Sequence, residues 1–144
     1  MSEKNELETI ENEIMHVPPP VDRSAVATLH GTAPHSAEQL EVDPKTGMHK
    51  DYVVLSDAER AKGFVRPVRR SYKHVKPNVP LEEQCRAVTT MSQPLAETYA
   101  RDPKFYSGTY CGRCKAHFPV GENGEFYWVE DDRPDCATAL KVGT

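Results

Sequence analysis

Two thiols separated by two residues on a tight turn are the strongest chemical feature of this sequence. The run Tyr110-Cys111-Gly112-Arg113-Cys114-Lys115-Ala116-His117-Phe118-Pro119-Val120 has the Cys-x-x-Cys spacing that lets two thiolates converge on one tetrahedral ion, with Gly112 relieving the turn. A redox pair of the thioredoxin type follows a strand and opens a helix, whereas this pair runs into Pro119 and a hairpin signal. A structural zinc ion is therefore the expected occupant, and it needs two further ligands. Cys85, just ahead of a predicted helix, is the natural third. For the fourth, ligand type favours Cys136 and proximity favours His117, and the residues alone leave both open. His16, His30, His35, His49 and His74 are scattered, mostly among loop residues, and form no ligand pattern.

The elements that must position these ligands are short. Residues 52–55 read as a strand, and Ser56-Asp57-Ala58-Glu59 has the Ser-x-x-Glu form of a capping box, opening a short helix that Gly63 can end. The stretch 64–72 is β-rich, with Pro67 suited to an edge or loop. A second helix is expected over 94–101, started by Ser92 or Gln93 and closed before Pro103. Gly121-Glu122-Asn123-Gly124 is a hairpin signal between 118–120 and 126–129. Tyr99, Phe105, Tyr106, Tyr110 and Trp128 are the expected small core around the metal. A metal ion would make up for an interior that a proline-interrupted chain has difficulty supplying.

A second candidate constellation is basic. No acidic residue falls between Glu59 and Glu82, while Arg60, Lys62, Arg66, Arg69, Arg70, Lys73 and Lys76 do, with Phe64 and Tyr72 interleaved. Arginines beside aromatics can hold phosphates and stack on bases, so Arg66, Arg69, Arg70, Tyr72 and Lys73 within segment 60–76 are the nucleic-acid candidates. The bland alternative is a solvated face, or a partner for the acidic N-terminus. The net charge of −4 argues against general polyanion binding.

The chain divides by composition. Residues 1–50 read as an extended, low-complexity arm. Leu7, Ile10 and Ile14 are spaced for a short helix over 5–15, and Pro18-Pro19-Pro20 ends any such helix. Residues 51–144 hold the apolar residues and read as a compact α+β zinc-knuckle or zinc-ribbon-like domain. An arm this polar is expected either to be held by a protein partner or a neighbouring copy, or to pack on its own domain. No apolar run approaches the roughly 20 residues of a membrane span, and the opening residues lack a basic start followed by an apolar stretch, so a cytoplasmic protein is expected.

Residues 51–56 and 66–72, with Thr90-Met91, Ala96-Glu97-Thr98-Tyr99-Ala100-Arg101-Asp102-Pro103 and the Cys-x-x-Cys-x-x-His-x-Pro knuckle, resemble a family of small uncharacterised phage-encoded proteins. The resemblance spans about residues 51–129. It implies that Cys85, Cys111, Cys114 and His117 act together as zinc ligands, with Cys136 lying beyond it. The insert between Lys76 and Cys85 is shorter than in many relatives, and the arm has no counterpart. The knuckle also resembles the first half of treble-clef nucleases, but no second pair or His-Asn-His set follows.

No nucleophile elbow, phosphate loop or carboxylate pair is present. The sequence thus leads to a non-catalytic phage accessory protein with a structural Zn2+, no catalytic residues and no small-molecule substrate. The expected setting is the host cytoplasm, with incorporation into the virion as a decoration, cement or other assembly protein. The alternative is a zinc-knuckle regulator that binds nucleic acid or a host protein through segment 60–76.

Overall fold

The structure, a computed structural model, describes residues 17–129 and 140–144. The expected helix over 5–15 and Cys136 lie outside the described residues. The described chain is a small α+β fold of short antiparallel sheets. Its elements are β1 (Val26–Thr28), β2 (Val53–Leu55), α1 (Asp57–Arg60), β3 (Ser71–His74), a 3-10 turn (Leu81–Glu83), β4 (Val88–Thr90), α2 (Gln93–Arg101), β5 (Gly108–Cys111), β6 (Ala116–Pro119) and β7 (Phe126–Trp128). No helix among the described residues is long and apolar enough to cross a membrane.

Local chemistry explains the helices. Ser56 caps α1 by accepting from the Glu59 N–H at 3.2 Å, but the Glu59 side chain does not close the other half of the capping box. It is buried and paired with Arg101 and Lys62 instead. Pro94 suits the first turn of α2, where its missing N–H costs nothing. One face of α2 is buried through Ala96, Thr98, Tyr99, Ala100 and Arg101, and Thr98 Oγ1 accepts from Leu55 N–H at 3.2 Å, tying the helix to β2.

The central sheet has the order β4-β3-β7. Tyr72 and His74 alternate with Ser71 and Lys73 along β3, so the first two point into the core and the others do not. That core is built from Tyr72, Met91, Ala96, Tyr99, Phe126, Trp128 and Val142 together with Cys85 and Cys111. Tyr72 meets Phe126 edge-on at 5.2 Å between centroids. Of the aromatics expected there, Tyr99 and Trp128 are buried, while Phe105, Tyr106 and Tyr110 are half-buried. The terminal residues return along β7, with Val142 N–H donating to Phe126 O at 3.0 Å.

Two strand expectations are corrected. The strand in the basic segment covers only Ser71–His74; residues 64–70 are irregular, with Val65 and Arg66 N–H groups both turned to Ala100 O. The segments on either side of Gly121-Glu122-Asn123-Gly124 do not form a hairpin with each other. β6 pairs with β5, and β7 crosses to pair with β3, which buries its inward face, Phe126 and Trp128, against Tyr72, His74 and Tyr99.

Residues 17–50 contain one strand, and they lie on the body of their own chain. β1 pairs with β2. Buried Arg101 donates to Pro19 O at 2.7 Å, Asp22 N–H donates to Glu59 Oε1 at 2.9 Å, and Arg23 forms a two-point pair with Asp102. Asp51, fully buried, accepts from His30 N–H, Thr32 N–H and the Thr32 hydroxyl. Desolvation opposes its ionisation, yet these donors hold its carboxyl well below the usual range. Further along, Gly47 at φ +76° lies so close to the knuckle that a Cβ there would stand 1.9 Å from Lys115 O.

Candidate metal centre

Three segments bring four ligand atoms together. The antiparallel hairpin β5–β6, in the register Cys111↔Ala116, places Cys111 at the end of a strand, and the turn beyond it presents Cys114. That turn is held by Lys115 N–H donating to Cys111 O at 2.8 Å, with Lys115 at φ +55°, and by Gly112 N–H donating to Thr89 Oγ1 at 3.1 Å. The chain between β3 and β4 supplies Cys85. Arg86, at φ +56°, donates its N–H to His74 O at 2.9 Å, which seats Cys85 beside the inward side chain of His74. β3 itself supplies that histidine.

His74, Cys85 and Cys111, all buried, and half-buried Cys114 thus form a cluster whose ligand atoms all lie within 4.8 Å of one another. Cys85 Sγ is 3.6 Å from Cys111 Sγ and 3.7 Å from Cys114 Sγ, and Cys114 Sγ is 3.6 Å from His74 Nδ1. A disulfide would bring two sulfurs to about 2.05 Å, so these are separate thiols. A tetrahedral ion with metal–sulfur bonds of about 2.3 Å and metal–nitrogen bonds of about 2.05 Å requires sulfur–sulfur edges of about 3.8 Å and sulfur–nitrogen edges of about 3.6 Å. The three separations match these edges, and the cluster could bind a metal ion.

The electrostatics agree. Burial, and then the neighbouring Cys85 and Cys111, push the Cys114 thiol up to about 11. Burial also opposes ionisation of Cys85, but the Ala87 N–H, the other two thiols and the Arg113 guanidinium more than offset it and lower its pKa. Arg113 is fixed nearby by donating to Cys85 O at 2.9 Å. Three adjacent thiols cannot all ionise without a compensating cation, which a metal ion at their centre would supply.

A second layer orients the histidine. With Nδ1 turned to the sulfurs, Nε2 carries the proton and donates to Glu125 Oε1 at 2.9 Å. Phe126 stacks on the ring at 4.7 Å and Phe118 packs at 4.4 Å.

Sequence reasoning brought Cys85, Cys111 and Cys114 to this point and missed His74. His117 stands elsewhere. Because Cys111 pairs with Ala116, His117 pairs with Tyr110 and projects from the opposite face of the hairpin. There its Nε2 lies 2.7 Å from Tyr52 Oη, its ring is 4.4 Å from that of His49, and burial followed by His49 lowers its pKa.

The basic candidates are engaged within the chain. Tyr72 is 2% exposed and so has no face to offer a base. Arg69 is buried with its guanidinium 4.8 Å over Trp128, Arg70 donates to Met91 O, and Arg66 donates to Val65 O and Thr144 O. Lys73, on β3, is half-buried. Comparison with protein-family models, with curated proteins and with solved structures gives no match to this chain.

Proposed function

We propose that this chain is a non-catalytic docking protein whose fold is stapled by one structural zinc ion bound to His74, Cys85, Cys111 and Cys114. One observation carries the reading: four protein donors, three of them on buried residues, stand within 4.8 Å of one another. A catalytic zinc keeps a coordination position for water or substrate, whereas four side chains fill the shell. Three sulfurs and one imidazole are soft-to-borderline donors, which suit zinc and disfavour magnesium or calcium.

The staple joins parts of the chain that are distant in sequence. β3, the 75–87 connection and the β5–β6 hairpin each contribute a ligand atom to the cluster. Ligand binding to the folded state alone is folding free energy, so the metal-free chain is expected to lose its tertiary packing. The test is metal analysis of protein purified without chelator, followed by removal of the metal. One zinc per chain, and loss of near-ultraviolet dichroism on stripping, are the expected results. Less than half an equivalent of zinc, or an unchanged spectrum after stripping, would overturn the reading.

The setting we attach to it, assembly on a phage particle, rests on the family resemblance. Mass spectrometry of purified particles tests it, with many copies per particle expected and absence counting against it. The second reading is binding of nucleic acid or a host protein through segment 60–76; Tyr72 and Arg69 are buried and Arg66 and Arg70 bond within the chain, which leaves Phe64 as its exposed aromatic.

A further inference from the structure

Beyond the metal centre, two histidine rings from distant segments meet on the opposite face of the β5–β6 hairpin. His49, in the irregular chain before β2, lies 4.4 Å from His117 of β6 between ring centroids. We propose that the pair is an acid-sensitive latch that holds residues 40–50 against the hairpin. His117 projects from the face opposite the sulfur cluster, so the latch does not depend on the zinc reading.

The hydrogen bonds set the protonation state that keeps the latch closed. His49 Nδ1 lies 2.9 Å from Leu40 O, and a carbonyl only accepts, so that nitrogen carries a proton. The Tyr52 hydroxyl oxygen accepts from His49 N–H at 3.1 Å and lies 2.7 Å from His117 Nε2. The hydroxyl proton has no other acceptor among the described residues, so it goes to an unprotonated Nε2. A proton added to Nε2 would take that acceptor away and place a cation against the neighbouring ring.

The surroundings leave such a charge uncompensated. No carboxylate lines the cavity that the two rings share; its titratable groups are Arg23, His35, Tyr52 and Tyr106. Tyr110 faces His117 from β5, with ring centroids 5.4 Å apart, and Lys115, two residues ahead of His117, is a further cation. The acids near His49 are Glu41 and Asp43, which line a separate cavity with His30 and Lys50 and are exposed. Glu41 meets Lys50, and Asp43 accepts from Lys45 N–H. Burial, then His49, lowers the His117 pKa below its ordinary 6.5. Stability from the neutral pair is complete above 6.5 and is lost as pH falls through that lowered value.

Residues 40–50 have little apolar anchorage. Leu40, Val42 and Met48 are exposed. Among the described residues, the hydrogen bond that joins the segment directly to the hairpin runs from the Tyr110 hydroxyl to Thr46 O. A segment with so few buried apolar contacts opens at low cost, so one uncompensated charge is enough to shift its equilibrium. Opening uncovers the rings of Tyr52 and Tyr110.

The test measures amide hydrogen exchange across the full-length, metal-loaded protein, with rates converted to protection factors. From about pH 7.5 to about pH 5.5, protection of the His49 amide, which bonds to Tyr52 Oη, is expected to fall about five-fold or more. The Lys115 amide, which holds the ligand turn, should keep its protection, and metal content should not change. His117→Phe retains a ring without a titrating nitrogen and should make His49 protection independent of pH. Should that variant fail to fold, the wild-type protein decides: the loss of protection must share its midpoint with the titration of the His117 ring followed by nuclear magnetic resonance. Constant protection in the wild type, an undiminished pH response in His117→Phe, separate midpoints, or a response that appears only with metal loss would overturn the latch.

Discussion

Glu125 Oε1 lies 2.9 Å from His74 Nε2, on the side of the ring opposite the sulfur cluster. The contact holds the ring with Nδ1 turned to the three thiols, the orienting role that a carboxylate plays for a metal-binding histidine. Glu125 is itself placed by its own backbone, since Val75 N–H donates to Glu125 O and Glu125 N–H donates to Pro119 O. Glu125→Gln keeps the shape and a hydrogen-bond acceptor but removes the charge. Metal affinity is expected to fall about 10- to 100-fold, the usual cost of losing such a partner. Competition against a chromophoric chelator measures it, and equal affinity in the two proteins would show that the carboxylate does not support the ligand.

His74 and His117 separate two ligand assignments. His74→Ala should abolish stoichiometric metal binding and the near-ultraviolet signal with it, because it removes a donor from the cluster and leaves three crowded thiols. His117→Ala should retain one metal per chain and lose only the contacts to Tyr52 and His49. Metal content by mass spectrometry distinguishes them. Retention by the first variant and loss by the second would restore the assignment that sequence proximity and resemblance suggest.

What the sequence made legible follows from the range of its signals. The Cys-x-x-Cys turn is local, so its spacing alone discloses both ligands, and Ser56 and Pro94 mark helix starts by chemistry confined to one turn. His74 is disclosed only by strand register. It alternates with Tyr72 on the buried face of β3, but the β-rich signal in the sequence stops at Tyr72 and places the histidine among loop residues. His117 shows the same rule from the other side. Three residues from Cys114 it looks adjacent, yet in a hairpin a shift of one position reverses the face. The crossing of β7 to β3 is a long-range pairing that no turn signal encodes. The packing of 17–50 onto the body depends on Arg101, Glu59, Asp102 and Asp51, four charged residues whose burial composition cannot reveal.

Glu59 gives that packing a pH dependence. The Lys62 ammonium, then the Asp22 N–H, and more weakly Arg101 hold its carboxyl at about 2, below an ordinary value of 4.5, against the opposing effect of burial. A lowered folded-state pKa contributes stability that is present above pH 4.5 and is lost as pH falls through about 2. Glu59→Gln should melt below the wild type at pH 6, with the gap narrowing between pH 4.5 and 2. Proton competition for the metal ligands acts on both proteins, so the difference between their melting curves isolates Glu59. A gap that stays constant across this window would rule out the linkage.

Gly47 tests whether the 43–49 loop is held by the knuckle. At φ +76° an L side chain is strained by about 1 kcal/mol or more, and the new Cβ would meet the Lys115 carbonyl oxygen, a backbone atom that cannot rotate away. Lys115 O belongs to the turn that presents Cys114, so either the turn moves or the loop lifts. The turn is fixed by Cys111 O and Thr89 Oγ1, whereas Met48 and most of residues 40–50 are exposed, so the loop should give way. Gly47→Ala is therefore expected to leave metal stoichiometry intact, to release the Tyr110 hydroxyl from Thr46 O, and to speed proteolysis at Lys45 and Lys50 several-fold. Cleavage rates equal to wild type would mean that the loop is held by other contacts. Loss of metal in this variant would instead mean that the loop and the ligand turn fold as one unit.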